Sequence, residues 1–396
     1  MGHSGDWSRE VRKQVPAMRA WRAALHREPE LANEETKTRA KIVEALASLD
    51  IAPQTYEHFH GVRAVLAPTA DGPAVALRAD MDGLPVQEDT GLEFASRFSG
   101  RMHACGHDVH MTCLLGAAAA MKRHERELRG PVVLLFQPAE EEGETGGAGP
   151  FLARGCFDHP RVDFVVGQHV EPTIPAGKIG WRMGPLMAAA DHFLIRVKGS
   201  GGHAAMPHRG PDAVVAAAEI VTGLQALVSR ARDPLDPVVV SVGSIHGGTT
   251  DNVLPEEVVL EGTVRTFRPD TRDLIERILK RRVSHLASSM GAKATVRYER
   301  GYPVTVNEPR ATARIVEGIK SEMGAGSLVE IERPVMGAED FSRYLERVPG
   351  SFLFLGAGTG EPRTLHSPSF APPEESMVTG AIALVAATAA LQGGSP

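Results

Sequence analysis

Apolar positions recur at helical spacing in two early stretches, Ser8 to His26 and Glu34 to Leu49, with Leu25 and Ile42 among them. Short β-rich runs follow at Val62–Leu66, Ala74–Leu77, Val132–Phe136 and Val162–Val166, and Thr112 to Leu128 reads as a helix between the later ones. Strands alternating with helices predict an α/β layer around a mostly parallel sheet. Near Asp191 the pattern changes. Phe193–Val197 reads as a strand, Asp212 to Ser229 as a helix, and Val238–Ser244 and Val258–Thr266 as paired strands. Thr271 to Met290 then reads as a helix and Ala294–Tyr298 as a strand, which completes the βαββαβ order of a ferredoxin-like unit. After Pro303 the first pattern resumes, with helices at Ala311–Met323 and Ala338–Leu345, a strand at Phe352–Leu355 and a terminal helix. A discontinuous domain, 1–188 with 304–396, is therefore expected to carry an inserted domain at 189–303.

Length agrees with that division, since 396 residues at a typical ~150 per domain suggest two or three. Hydrophobic residues at 42% and charged residues at 23% are ordinary globular usage, which argues against wholesale disorder or a fibrous repeat. The formal charge of −6, from 43 basic and 49 acidic residues, offers no basic face for nucleic acid. Three irregularly spaced cysteines, Cys105, Cys113 and Cys156, make no disulfide framework and fit a reducing compartment. Met1 to Glu10 lacks the apolar core of a signal peptide. Met377 to Leu391 is apolar but, at fifteen residues, shorter than the ~20 of a membrane span, so it is expected to be a buried helix. The expectation is a cytoplasmic protein with no membrane or nucleic-acid partner.

Chemistry collects in Met102-His-Ala-Cys-Gly-His-Asp-Val-His110. Histidine and cysteine are soft or borderline donors suited to Zn, Mn, Co or Ni, and Gly106 lets the chain turn between Cys105 and His107. The bland reading is a Cys and several His packed at a helix start. Carboxylates add to it. Asp80 and Asp82 follow one predicted strand and Glu140, Glu141 and Glu142 another, while His169 follows a third and His366 stands beyond a fourth and its Gly-rich loop. Ligands of open α/β sheets bind beyond the carboxyl ends of strands. Four such coincidences are hard to explain as packing.

With Gly201-Gly-His-Ala-Ala-Met-Pro-His208, Asp251-Asn-Val-Leu-Pro255 and Met336-Gly-Ala-Glu-Asp-Phe341, these motifs run in order from Arg78 to Phe370. The chain resembles the aminoacylase and hippurate-hydrolase branch of the dinuclear metal-dependent aminoacylase/carboxypeptidase superfamily. The resemblance implies a zinc-peptidase-like catalytic domain with an inserted ferredoxin-like lid and dimerisation domain, hinged near Leu186–Asp191 and Tyr302–Thr305. It implies two divalent ions (Mn, Zn, Co or Ni), with Cys105 bridging and His107, Glu141, His169 and His366 as the other ligands. Glu140 would be the general base. Asp82 would orient a ligand imidazole, as metal sites usually require, or else be a turn residue before Gly83. Peptidase relatives carry His-x-Asp where this chain has Asp80-Met-Asp82, so the usual first His is missing and His107 is expected to replace it.

From the inserted domain, the resemblance assigns His203 to the oxyanion and Asn252 and Arg265 to the substrate's free carboxylate, which suits the planar fork of Arg. Read alone, His203 is a surface-loop histidine, Asn252 a turn residue and Arg265 an exposed strand residue. His103, His110, His208, His246 and Glu142 receive no role, and Cys113 and Cys156 are expected as small core residues. Two ions can polarise an amide carbonyl and acidify a water, and a neighbouring carboxylate can move its proton to the leaving amine. The implied function is hydrolysis of N-acyl amino acids by a homodimeric amidohydrolase. A dipeptidase or N-carbamoyl amino acid amidase on the same scaffold, or a silent metal-binding homologue, are the alternatives.

Overall fold

The computed structural model describes residues 7–143, 146–360 and 364–393. The first six positions of the N-terminal stretch and 361–363 of the Gly-rich loop lie outside that range. The chain divides into two compact units. The first takes the chain up to Leu186, Thr305–Pro334 and the chain from Asp340; the second takes Met187–Val304 and returns at Val335–Glu339.

The first unit opens with helices α1 (Trp7–Arg12), α2 (Val15–His26) and α3 (Thr36–Ser48) and strands β1 (Pro53–Tyr56), β2 (Phe59–Leu66) and β3 (Val75–Asp80). There follow α4 (His107–Arg123), β4 (Val132–Gln137), α5 (Ala148–Ala153), β5 (Phe164–Pro175), β6 (Ile179–Trp181) and β7 (Gly184–Met187). The second unit supplies β8 (Ala189–Lys198), β9 (Gly202–His203), α6 (Ala213–Arg230), β10 (Val238–His246), β11 (Val253–Leu254), β12 (Glu257–Thr266), α7 (Pro269–Ser289) and β13 (Lys293–Arg300). The first resumes with β14 (Thr305–Asn307), α8 (Pro309–Met323), β15 (Leu328–Glu330), α9 (Ser342–Leu345), β16 (Gly350–Gly358) and α10 (Glu374–Leu391).

Three sequence expectations need correction. The first predicted helix is two, α1 and α2, because Pro16 cannot donate the amide hydrogen that would carry the ladder through Lys13 and Gln14. The helix expected from Thr112 starts at His107, where Gly106 (φ 80°) turns the chain into it. The helix expected at Ala338–Leu345 is only the single turn of α9, and Val335–Glu339 belongs with the second unit, where Ala188 N–H donates to Val335 O (3.1 Å) and Gly337 O (2.8 Å).

The sheet of the first unit runs β1-β2-β4-β3-β5-β16-β6-β15. Its centre is parallel: β4 with β3, β3 with β5 and β5 with β16, while β1–β2, β2–β4 and β16–β6 are antiparallel. β3 and β4 are buried along their whole length, as strands covered on both faces must be. α4 and α10 are apolar nearly all round and join the same core. By length and composition α6 and α10 are each long and apolar enough to cross a membrane, and most of α10 is buried within this unit.

The second unit is a four-stranded antiparallel sheet, β10-β12-β8-β13, with α6 and α7 on its core. That order is the ferredoxin-like one. Asp212 starts α6 by accepting from Val214 N–H (2.8 Å) and Val215 N–H (3.2 Å). β9 and β11 form a separate small pair, His203 opposite Val253.

Candidate metal centre and active site

The parallel centre of the sheet sets the site. β3 and β4 end in register at Asp80 and Gln137, so the segments carrying Asp82 and Glu140–Glu141 leave the sheet side by side. His169 was expected just after a strand, but it lies within β5, which runs on to Pro175. The pairing of β5 with β3 stops at Gly167 opposite Arg78, whereas its pairing with β16 continues through His169 opposite Phe354. His169 therefore stands past the end of one neighbour while still held by the other, and the side chain is delivered to the same edge.

Cys105 precedes α4 in a turn that only a residue without Cβ can close. At Gly106, φ is 80° and a Cβ would lie 2.6 Å from Val170 Cγ2. His366 (φ 63°) takes a left-handed backbone that non-glycine residues rarely adopt, and its N–H donates to Ala104 O at 2.9 Å. Ala139 (φ 56°) does the same just before the single 3-10 turn of Glu140–Glu142. Such conformations persist when surrounding contacts over-determine them, and they cluster at functional sites.

These turns bring seven predicted residues together. Cys105 Sγ lies 3.2 Å from His169 Nε2 and 3.3 Å from His366 Nε2. Glu141 Oε1 lies 3.4 Å from His366 Nε2 and 3.9 Å from His107 Nε2. Asp82 joins two of them, accepting from His107 Nδ1–H (3.2 Å) and from Glu141 N–H (2.9 Å). The donor atoms of Cys105, His107 and His169 all lie within 4.8 Å of one another, as do those of Cys105, Glu141 and His366 and those of His107, Glu140 and Glu141. Cys105 is shared by two of these groups.

The hydrogen bonds fix which imidazole nitrogen is free. His107 gives Nδ1–H to a carboxylate and His169 gives Nδ1–H to Val170 O (2.8 Å), so each keeps its Nε2 lone pair for the centre. His107 Nε2 and Glu141 Oε1 are buried and make no hydrogen bond. Buried polar atoms without partners are costly, and here a divalent cation is the partner that fits. Charge points the same way. Burial alone would push His107 down, but Asp80, Asp82 and Glu141 outweigh it and lift it to about 10. Burial, with Glu141 and Glu140 close by, pushes the Cys105 thiol well up. The pocket favours positive charge at His107 and resists a lone thiolate, and a cation satisfies both.

Asp80 occupies the position of the missing first His but has no oxygen to spare. Oδ2 accepts from Arg78 Nη1 (2.7 Å) and Oδ1 from His110 Nδ1–H (2.6 Å). His110 Nε2 in turn accepts Val170 N–H (2.9 Å), next to His169. Arg78, fully buried, also donates to Gln137 Oε1 (2.9 Å) and Asp340 Oδ1 (2.8 Å). His110 had no assigned role in the sequence, although its spacing of three from His107 on one helix face could have revealed it.

The other three predicted residues belong to the second unit. His203 is on β9, exposed, and its Nδ1 accepts from Ala205 N–H at 3.1 Å. Asn252 is exposed, accepts Ala204 N–H on its carbonyl (3.0 Å) and accepts Thr250 Oγ1–H on its side chain (3.2 Å). Arg265 lies on β12, part-buried, where Nη1 donates to Val264 O (3.2 Å) and to Thr263 Oγ1. Cys113 and Cys156 are buried and unpaired.

Residues 76–390 match peptidase family M20/M25/M40. The chain is similar to an N-acetyl-L-cysteine deacetylase of Bacillus subtilis, 40% identical over 90% of this chain and 84% of the relative. It is also similar to thermostable carboxypeptidase 1 of Saccharolobus solfataricus, 36% identical over 96% of this chain and 93% of the relative. Among solved structures, a dinuclear metal binding M20 peptidase of Bacillus subtilis superposes with a TM-score of 0.84 at 32% identity, covering 97% of this chain and 100% of that one. The chain thus belongs to the M20/M25/M40 peptidase family and is a metal-dependent amidohydrolase or peptidase of that family.

Proposed function

We propose that the protein hydrolyses N-acyl amino acids to a carboxylic acid and a free amino acid. The observation that carries this is the pair of donor groups sharing Cys105, with Glu140 adjacent to Glu141 on one tight turn. Cys105, His107, Glu141, His169 and His366 would hold two divalent ions, of Mn, Zn, Co or Ni. When bound, the ions supply Lewis-acid polarisation of the amide carbonyl and acidify the attacking water.

The protein's own groups do the rest. Glu140 takes the proton of the attacking water and returns it to the leaving nitrogen. Glu141 is turned toward His107 and His366 and cannot share that task. Asp82 fixes the His107 tautomer. On the family resemblance, His203 stabilises the oxyanion while Asn252 and Arg265 hold the substrate carboxylate. The same resemblance supports a homodimer, and three unpaired buried cysteines support a cytoplasmic setting without membrane or nucleic-acid partners.

Similarity to a deacetylase at 40% and to a carboxypeptidase at 36% leaves one rival, a peptide substrate with a free carboxyl terminus. Both substrates present an amide beside an amino-acid carboxylate. A panel of N-acetyl and N-benzoyl amino acids and dipeptides, run with each metal in turn, separates them. Faster release from acyl amino acids is the expected result. Release from dipeptides alone would give the protein to the peptidase side.

A further inference from the structure

Glu35 is fully buried at the start of α3, more than a hundred residues from the metal-binding turns in sequence. It stands at the N-cap position of that helix, yet its side chain makes no capping hydrogen bond. Glu30 does that work, accepting from Lys37 N–H (3.1 Å), Thr38 N–H (2.8 Å) and Thr38 Oγ1–H (3.0 Å). A carboxyl group buried without serving its own helix calls for another reason, because burial of such a group is costly.

The Glu35 carboxyl reaches the other carboxylate-bearing turn. Its Oε1 accepts Ala139 N–H at 2.8 Å. Ala139 is the residue held at φ 56°, a conformation that costs an L-residue roughly 1–2 kcal/mol. Two residues on, Asp82 accepts Glu141 N–H at 2.9 Å. The two anchors bracket Glu140. The segment that carries Glu35 is itself braced to the Asp82 strand end, since Gly83 N–H donates to Glu30 O at 2.7 Å. Gly147 closes the turn from behind, where a Cβ would meet Pro138 O at 1.7 Å.

We propose that Glu35 is a positioning residue for this hydrolysis, holding by its carboxyl oxygen the left-handed Ala139 turn from which Glu140 and Glu141 are presented. The role rests on the hydrolase reading above. Burial and the nearby Asp82 carboxylate raise Glu35 to about 8, so near neutral pH it is largely a neutral acid. Its carbonyl oxygen still accepts from Ala139 and adds no negative charge to the centre. A glutamine can do the same; an alanine or leucine cannot.

The test compares Glu35→Gln, Glu35→Ala and Glu35→Leu in the full chain loaded with metal. Leucine fills the buried volume while removing the acceptor, so it separates anchoring from packing if alanine fails to fold. Hydrogen exchange at 139–142 is expected to quicken tenfold or more in the leucine and alanine variants, with the rest of the chain protected as in wild type. The glutamine variant should stay at the wild-type rate. On the acyl amino acid released fastest by wild type, kcat should fall about ten- to hundredfold in the leucine variant with KM within twofold, and glutamine should restore it. Unchanged exchange at the turn in Glu35→Leu, or a glutamine variant as impaired as the leucine one, overturns the proposal. Should wild type release nothing from any acyl amino acid, the hydrolase reading fails, while the exchange result still decides whether Glu35 anchors the turn.

Discussion

Asp82 uses both carboxylate oxygens, one on the His107 ring and one on the Glu141 amide, and so ties together two expected metal ligands from different elements. Asp82→Ala is expected to weaken metal affinity about 10- to 100-fold, measured by competition with a chromogenic chelator. An unaltered affinity would reduce Asp82 to a turn residue. At this scale the sequence was legible where chemistry is written in residue type. Cys105, His107, His169 and His366 are ligand-type side chains, and the structure brings them to one place with Glu141. It was not legible where a role depends on a distant partner. Nothing local marks Glu35, whose partner Ala139 N–H is brought near only by folding, and Arg78 reads as one more strand residue until Asp80, Gln137 and Asp340 close around it.

Elements deliver these side chains through a few constrained turns. At the start of α4 the left-handed Gly106 sits against Val170, beside His169. Gly106→Ala is expected to cost at least about 1–2 kcal/mol from backbone strain alone, with the clash added, and to lower both the melting temperature and metal occupancy. A variant as stable and as fully loaded as wild type would contradict that role. Further along the helix interface, His26 of α2 places Nδ1 3.0 Å from Asp108 Oδ2 and Nε2 3.1 Å from Glu88 Oε1, with Arg22 Nε 3.0 Å from the same Asp108 oxygen. Burial would lower His26, but Asp108 and Glu88 outweigh it and hold it at about 9. Burial would raise Asp108, and His26 and Arg22 overcome it and hold it far below the usual range.

The protonated His26 therefore stabilises the fold fully below its unfolded value near 6.5, and the contribution fades as pH rises through about 9. Its size is of order 3 kcal/mol at about 1.4 kcal/mol per pH unit. The Asp108 contribution is present above the ordinary value near 4 and is lost only in strong acid. Between pH 7 and 9.5 the melting temperature of wild type should fall more steeply than that of His26→Gln. Parallel slopes would sink the assignment. Element boundaries were the less legible part of the fold. Helical periodicity does not register that Pro16 lacks an amide hydrogen, and a strand such as β5 that outruns one neighbour cannot be seen without the pairing.

For the whole molecule, the order of strands and helices carried the architecture: a parallel-centred sheet in one unit and a ferredoxin-like sheet in the other, because hydrophobic period and connection length suffice to fix both. The return of Val335–Glu339 to the second unit was not foreseeable, since it depends on backbone hydrogen bonds to Ala188. The central claim is that one centre built around Cys105 hydrolyses the amide with Glu140 as base. Metal content and product release, measured together on wild type and Glu140→Gln, test it most directly. The account predicts two ions per chain in both proteins, metal-dependent release from N-acyl amino acids by wild type, and a loss of at least about 100-fold in kcat for the variant. Equal turnover by the two proteins, or full occupancy by two ions with no release from any amide, would contradict it.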